Sequence, residues 1–407
     1  MMKKEYDLLI IGGGLVGTSL ALSLRDSGLN IALVENQRHQ NQDGNAFDAR
    51  TIALSLGSCN ILKRIGVWQQ VEPSAAAINT IHISQPGCLG VSRLEAPRFN
   101  RPAFGYTASA NAIGQGLLQL LDDSKNISYL CPARFTGFTT NNDQGCTVDL
   151  IHQEQPLTVK TKLVVGADGA LSSVREALGI SHQEKSYQQS AVCFTIECQK
   201  PHRNVAYERF TSDGPLALLP GLESHQYCII WTQPESDIEQ VMQLKDAQVQ
   251  QIIQDTMANR TGKIIRISKR SHYPLKLITT DKLTSQNALL MGNAAHTIHP
   301  VTGQGFNLGL RDVACLHNLI NHALKNQQAI NSSQLLTQYQ LNRTKDHQQL
   351  IRYTDNLQAL FRTDQPPGIK ALRGLGLALF DQIPLFTEQL TSFNMGLSGN
   401  DSLLEIQ

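Results

Sequence analysis

Residues 7–35 constrain the fold more than any other stretch. An apolar run over 7–11 ends in Gly12-Gly13-Gly14-Leu15-Val16-Gly17, a short helical pattern follows to Gly28, and a second apolar run over 31–34 ends at Glu35. Two such strands joined through a helix are buried on both faces, which commits the chain to an α/β sheet. The glycines have separate duties: Gly12 permits the tight turn, Gly14 lets main chain approach a pyrophosphate, and Gly17 lets helix pack on strand. Glu35, eighteen residues beyond Gly17, is placed to accept hydrogen bonds from an adenosine ribose, and an acid rather than a base there suits a ribose without a 2′-phosphate. The unit reads as a Rossmann-like dinucleotide site, with NAD and FAD both open from this motif alone.

Composition narrows the rest. The 407 residues are 41% hydrophobic and 17% charged with net charge +1, an ordinary globular balance that offers nothing to nucleic acid. Eight cysteines without metal-ligand spacing read as reduced thiols; Cys193 and Cys198 lack the glycines of a redox pair, and no metal site is expected. No stretch approaches the roughly 18 uninterrupted apolar residues of a spanning helix, so a cytoplasmic protein is expected, with contact at the inner-membrane surface as a functional variant.

Residues 291–313, MGNAAHTIHPVTGQGFNLGLRDV, are a second glycine-rich stretch. Gly292, Gly303 and Gly305 let N–H groups approach a flat, electron-rich ring; Pro300 interrupts any preceding helix, and from Phe306 apolar residues recur at helical spacing. The loop therefore aims a helix N-terminus at whatever it holds, and such a terminus favours negative charge, as on the N1 and O2 edge of a reduced flavin. The competing reading is an ordinary Gly/Pro turn. His296 and His299 lie close by in sequence, and either would serve to deprotonate a phenol.

A third motif runs from the apolar residues 163–165 into Gly166-Ala167-Asp168-Gly169 and then Ser173-Val174-Arg175. Asp168 suits ribityl or ribose hydroxyls while Gly169 admits main chain; the other reading is a helix-capping Asp168 with Arg175 as a surface charge.

These three motifs, in this order, resemble the aromatic-hydroxylase group of flavin monooxygenases, and the 292–313 segment resembles its ubiquinone-biosynthesis branch. The resemblance spans about residues 6–360 and implies FAD as cofactor, NAD(P)H as co-substrate, and O2 passing through a C4a-hydroperoxyflavin to a polyprenyl (methoxy)phenol. It implies that Gly292-Asn293 touches the ribityl chain, with Asn in place of the family's Asp. It also implies that Pro300, Gly303, Gly305, Phe306 and Asn307 line the ring, that Arg50 contacts FAD, and that a polar residue early in the helix of 110–121, Asn111 or Gln115, touches the pyrophosphate; Gln115 is assigned. His299 and Pro300 are the catalytic candidates. A FAD-holding scaffold subunit and a flavin reductase of isoprenoid lipids are the alternatives.

The expected architecture is an α/β FAD-binding domain (1–70, 106–185, 278–330) interleaved with a mostly antiparallel substrate sheet (71–105, 186–277) and followed by C-terminal helices (331–407). Tyr207, Phe210 and Trp231 are the aromatic candidates for a substrate cavity, none assigned. The basic residues Lys269, Arg270, His272 and Lys276 read as a solvated edge or as a site for dinucleotide phosphates, and no second G-x-G-x-x-G is present. The helix over 332–361 reads as polar and packed on the flavin domain, or with the segment that follows it as a docking element for a membrane surface or a quinone-biosynthesis complex. A homo-oligomer is compatible with the same reading.

Overall fold

The computed structural model describes residues 4–37, 51–86, 90–143, 145–297, 304–361 and 395–397. Arg50, His299, Pro300 and Gly303 lie outside them. An eight-stranded sheet forms around the first strand, Lys4–Ile11, which pairs in parallel with Ile31–Val34 on one side and Gln155–Gly166 on the other. Leu8, Leu9 and Ile10 and all four residues of Ile31–Val34 are buried. Their unbroken apolar runs have no solvent face to alternate with, as parallel strands covered on both sides require.

Register decides where the site lies. Ile11 pairs with Val34 and with Gly166, Gly166 pairs with Leu290, and Val34 pairs with Leu130. Five parallel strands thus end at one level. Gly12, Glu35, Ala167-Asp168 and Met291-Gly292 all emerge from that carboxyl edge, the place where open α/β sheets hold ligands. The antiparallel strands Ala133–Asn142 and Gly145–His152 extend the sheet beside Gln155–Gly166.

The second sheet has nine strands, all antiparallel neighbours except Val205–Phe210 beside Thr80–Ser84. One of its faces is sealed by Ile238–Gln243 and Asp246–Thr256, whose Ile238, Val241, Val249 and Ile253 pack with Phe194, Leu216, Leu218, Tyr227 and Trp231. A three-stranded sheet of Thr51–Ser55, Gly105–Ser109 and Ala75–Ile78 lies between the two larger ones. Gln304–Lys325 packs against the first helix, Leu15–Ser23, and against the 29-residue Ser333–Phe361. Met395 returns to the core, its carbonyl accepting from Gly57 N–H at 2.8 Å. Among the described residues no helix is long and apolar enough to cross a membrane.

Candidate active site

The three motifs meet at the carboxyl edge through contacts that leave little tolerance. Gly12 has φ +109°, and a Cβ there would lie 2.4 Å from the Ala167 carbonyl oxygen, so the first motif touches the second. Val16, on the first helix, would meet a Cβ on Gly309 at 2.7 Å and on Gly292 at 3.3 Å, so the first motif also touches the third. Arg175 joins the second to the third, donating to the Ala294 carbonyl at 3.0 Å and the Ala170 carbonyl at 2.8 Å. It is buried, which corrects the picture of a surface charge.

Within that frame Gly14 is empty-sided: beyond its chain neighbours, no atom of the described residues lies within 4 Å of a Cβ built there. It is also the N-cap of Leu15–Ser23, which has no capping side chain and no acid in its first turn. Gly305, in the first turn of Gln304–Lys325, likewise meets nothing. Two helix starts with open approaches fit an anionic pyrophosphate and the electron-rich edge of a flavin. Glu35 is fixed between them and the second strand, Oε2 accepting from Gly13 N–H at 2.8 Å and Oε1 from Gln37 N–H at 3.0 Å. Each oxygen keeps one lone pair for a ribose hydroxyl. These residues fit FAD.

Other residues are placed differently from the sequence picture. Asp168 is a cap: its carboxylate accepts from Ser172 Oγ (2.5 Å), Ser173 N–H (2.8 Å), Ser173 Oγ (3.0 Å) and Val174 N–H (3.2 Å). Three of the four donors fall on Oδ2, which fixes the turn at Gly169 and leaves Oδ1 with Ser172 alone. The Asn307 side chain is spent on the strand Thr51–Ser55, bonding Ser55 N–H and the Ala53 carbonyl at 2.9 Å each. Asn293, Gln115 and Asn111 are exposed, and Phe306 is half-buried against the core. Tyr207 and Trp231 face the sealed side of the second sheet, away from the nucleotide unit. In the basic stretch Arg270 is held by the Leu244 carbonyl (2.6 Å) and Asp246, and Lys276 by Glu184 (2.7 Å).

A buried polar network under the third motif escaped the sequence reading. Asp312, fully buried, accepts on Oδ2 from Gly292 N–H (2.9 Å) and meets His296 Nε2 there (3.0 Å); on Oδ1 it takes Arg343 Nε (2.7 Å) and His347 Nε2 (2.9 Å). Arg343 continues to Asp346, which also binds Arg311. Burial opposes the charge on Asp312, but the Arg343 guanidinium, with the His347 and His296 side chains beside it, holds the carboxyl well below the usual range. His296, one of the two candidate bases, is buried with its Nε2 committed to Asp312. His296, Asp312 and His347 place ligand-type atoms within 4.8 Å of one another. The carboxylate is nevertheless filled by four donors with a guanidinium beside it, so the cluster fits a positioning network and not a metal.

Burial, with His296 adjacent, pushes His347 down to about 4. An imidazole whose native pKa lies below its unfolded value of about 6.5 binds fewer protons in the native state between those values. Stability is then complete above pH ~6.5 and falls as pH drops toward 4, by roughly 3 kcal/mol for this group. Asp312 acts in the same direction at lower pH. Thermal unfolding scanned from pH 7 to 4 should show a steep loss in the wild type and a flatter one in His347→Gln; equal slopes would refute the assignment.

Comparison with known proteins identifies the family. The family model described as FAD binding domain matches residues 5–354. Ubiquinone hydroxylase UbiL of Rhodospirillum rubrum is 30% identical over 383 residues, covering 93% of this chain and 87% of that one. The 3-demethoxyubiquinol 3-hydroxylase of Escherichia coli K12 is 28% identical over 407 residues, covering 98% and 100%. Among solved structures, p-nitrophenol 4-monooxygenase PnpA from Pseudomonas putida DLL-E4 shares the fold with a TM-score of 0.79 at 15% identity, over 98% of this chain and 100% of that one. The chain belongs to the FAD-binding-domain family and is an FAD-dependent monooxygenase of its aromatic-hydroxylase group.

Proposed function

We propose that this monooxygenase hydroxylates the ring of a polyprenyl (methoxy)phenol in ubiquinone biosynthesis, with NAD(P)H as reductant and O2 as oxygen source. The observation that carries the reading is the meeting of three motifs at one sheet edge. Relatives named as ubiquinone hydroxylases over nearly their whole length support the substrate class. The likeness of residues 292–313 to 2-octaprenyl-6-methoxyphenol hydroxylase puts a prenylated methoxyphenol first among substrates.

When bound, FAD supplies the redox chemistry, taking electrons from NAD(P)H and activating oxygen. The chain does the rest. The uncapped N-terminus at Gly14 holds the pyrophosphate, Glu35 the ribose, and N–H groups from Gly305 onward stabilise charge at the flavin edge. Asp312 fixes the Gly292 main chain, which with Asn293 as an acceptor would hold the ribityl chain. Arg50, Gln115, Asp168, Gly169, Pro300, Gly303, Phe306 and the main chain of Asn307 complete the proposed FAD contacts, and His299 is a candidate base on sequence alone. With one dinucleotide motif in the chain, NAD(P)H docks transiently rather than on a domain of its own.

The test is NAD(P)H-driven flavin reduction and oxygen uptake by FAD-loaded protein, with and without a short-chain prenyl methoxyphenol. A hydroxylase consumes oxygen faster when the phenol is present. A flavin that NAD(P)H never reduces would favour the scaffold reading, and reduction without phenol-dependent oxygen uptake would favour the lipid reductase.

A further inference from the structure

The face of the nine-stranded sheet opposite its sealed side is half-buried, and it carries a carboxyl, that of Glu208, one of whose oxygens has no hydrogen-bond partner among the described residues. Glu208, on the strand Val205–Phe210, pairs with Ile83 on one neighbouring strand and Ala217 on the other, and the same row continues through Ile230 to Cys193. Paired residues share a face. The next row out, Tyr207 with Leu218, belongs to the opposite face and packs in the sealed core.

Two contacts show what the Glu208 face looks at. Cys228, two residues from Ile230 and on its side, bonds Thr51 of the central three-stranded sheet. Ile81, two residues from Ile83 and on its side, packs with Leu56 and Phe104. The Glu208 row therefore borders the space between the substrate sheet and the nucleotide unit. Ile83, Glu208, Ala217, Ile230 and Cys193 are all only half-buried, whereas the back of the same strands is closed. Oε1 of Glu208 is shut off from solvent without a hydrogen-bond partner. Native proteins pair such atoms, so an enclosed acceptor on a half-buried face that looks toward the nucleotide unit marks a place where a ligand can supply the partner.

We propose that Glu208 receives the hydroxyl of the phenolic substrate and accepts its proton, the prenylated ring lying along the apolar row of Ile83, Ala217 and Ile230. This rests on the hydroxylase reading above. The step is a proton transfer: the phenol O–H bond breaks, an O–H bond forms at Glu208, and the electron pair left on the phenolate oxygen activates the ring positions ortho and para to it. Oxidant and reductant remain O2 and NAD(P)H. The carboxyl returns its proton to the oxygenated product.

Electrostatics suit the role. Burial alone pushes the Glu208 carboxyl up to about 7, nearer to a phenol than an ordinary carboxyl stands. Other titratable groups on its face are spoken for: Cys193 bonds the Tyr273 hydroxyl, Cys228 bonds Thr51 and Thr195, and Glu197 pairs with Arg266 at the far end. His82, Arg93 and Arg209 belong to the opposite face, as the pairing of His82 with Arg93 and of Arg209 with Leu216 places them.

The experiment measures product formed, NAD(P)H consumed and H2O2 released by full-length FAD-loaded protein with a short-chain prenyl methoxyphenol, from pH 5.5 to 9 (about 1.5 below to 2 above the expected limb). Wild type should lose kcat/KM as pH falls through about 7. Glu208→Gln should lose that limb and at least about tenfold in product per NAD(P)H, the difference appearing as H2O2. Its melting temperature should equal or exceed the wild type's, because a neutral amide replaces a desolvated acid. Glu208→Asp, with the acid kept but drawn back by one methylene, should retain the limb at an intermediate yield, and it carries the test if the Gln variant does not fold. Wild-type yield and an unchanged limb in either variant would overturn the role of Glu208 and leave the hydroxylase reading standing. Wild type that makes no oxygenated phenol at all would overturn both.

Discussion

Gly14→Val is expected to give a folded protein that no longer retains FAD. The backbone there, φ −69° and ψ −175°, is extended and open to any residue, and beyond its chain neighbours the new side chain meets no atom of the described residues within 4 Å of its Cβ. It does enter the approach to the uncapped helix N-terminus, where a pyrophosphate has to touch main-chain N–H groups. Affinity should fall on the order of 100-fold, about 3 kcal/mol. The apo protein should melt close to the wild type, and the extra stability that bound FAD confers should vanish. Gly17→Ala is the counterpart: its Cβ would lie 1.9 Å from the Gly12 carbonyl oxygen, so the helix must leave the strand and the fold itself suffers. Flavin absorbance after gel filtration, with melting curves with and without added FAD, separates the two. Stoichiometric FAD on Gly14→Val would remove the first helix from the cofactor site.

Asp312→Ala carries the second large effect. One carboxylate serves the Gly292 N–H, two imidazoles and a guanidinium, all buried, and its removal leaves them facing each other without an acceptor. Losing one partner of a buried ionic cluster costs about 3–5 kcal/mol, far more than a surface pair. Asp312→Asn should recover little, because an amide offers one acceptor oxygen and presents its NH2 to the other donors. Urea unfolding of the apo protein gives the number, and a loss below about 1 kcal/mol would show that the network is not what holds the third motif. FAD affinity should fall as well, since Gly292 has φ +56° and its N–H is oriented by Asp312.

What the sequence made legible follows from locality. Residues 7–35 carry strand, turn, helix and strand in one continuous run, and their spacing alone specifies Gly12, Gly14, Gly17 and Glu35. The helix after Gly305 and the turn at Asp168-Gly169 are local in the same way. The Asp312 network is not local. Tyr339, Arg343, His347, Leu350 and Thr354 line up at intervals of three and four residues along Ser333–Phe361 and are all buried. That stripe is a polar inward face, which hydropathy reads as a solvated helix because it lacks the apolar signature of burial. Glu208 was hidden for a different reason. Alternation along Val205–Phe210 separates its face from that of Tyr207, but which face packs on helices and which borders the cavity depends on elements far away in sequence.

The central claim is that this chain puts one atom of O2 onto a phenolic ring. Mass spectrometry of the product formed from a short-chain prenyl methoxyphenol by FAD-loaded protein, NADH or NADPH and 18O2 tests it most directly. The account predicts a product carrying one labelled ring oxygen, with fragmentation locating the carbon attacked. Unchanged phenol alongside oxidised NAD(P)H and labelled H2O2, across both reductants and several prenyl lengths, would contradict it.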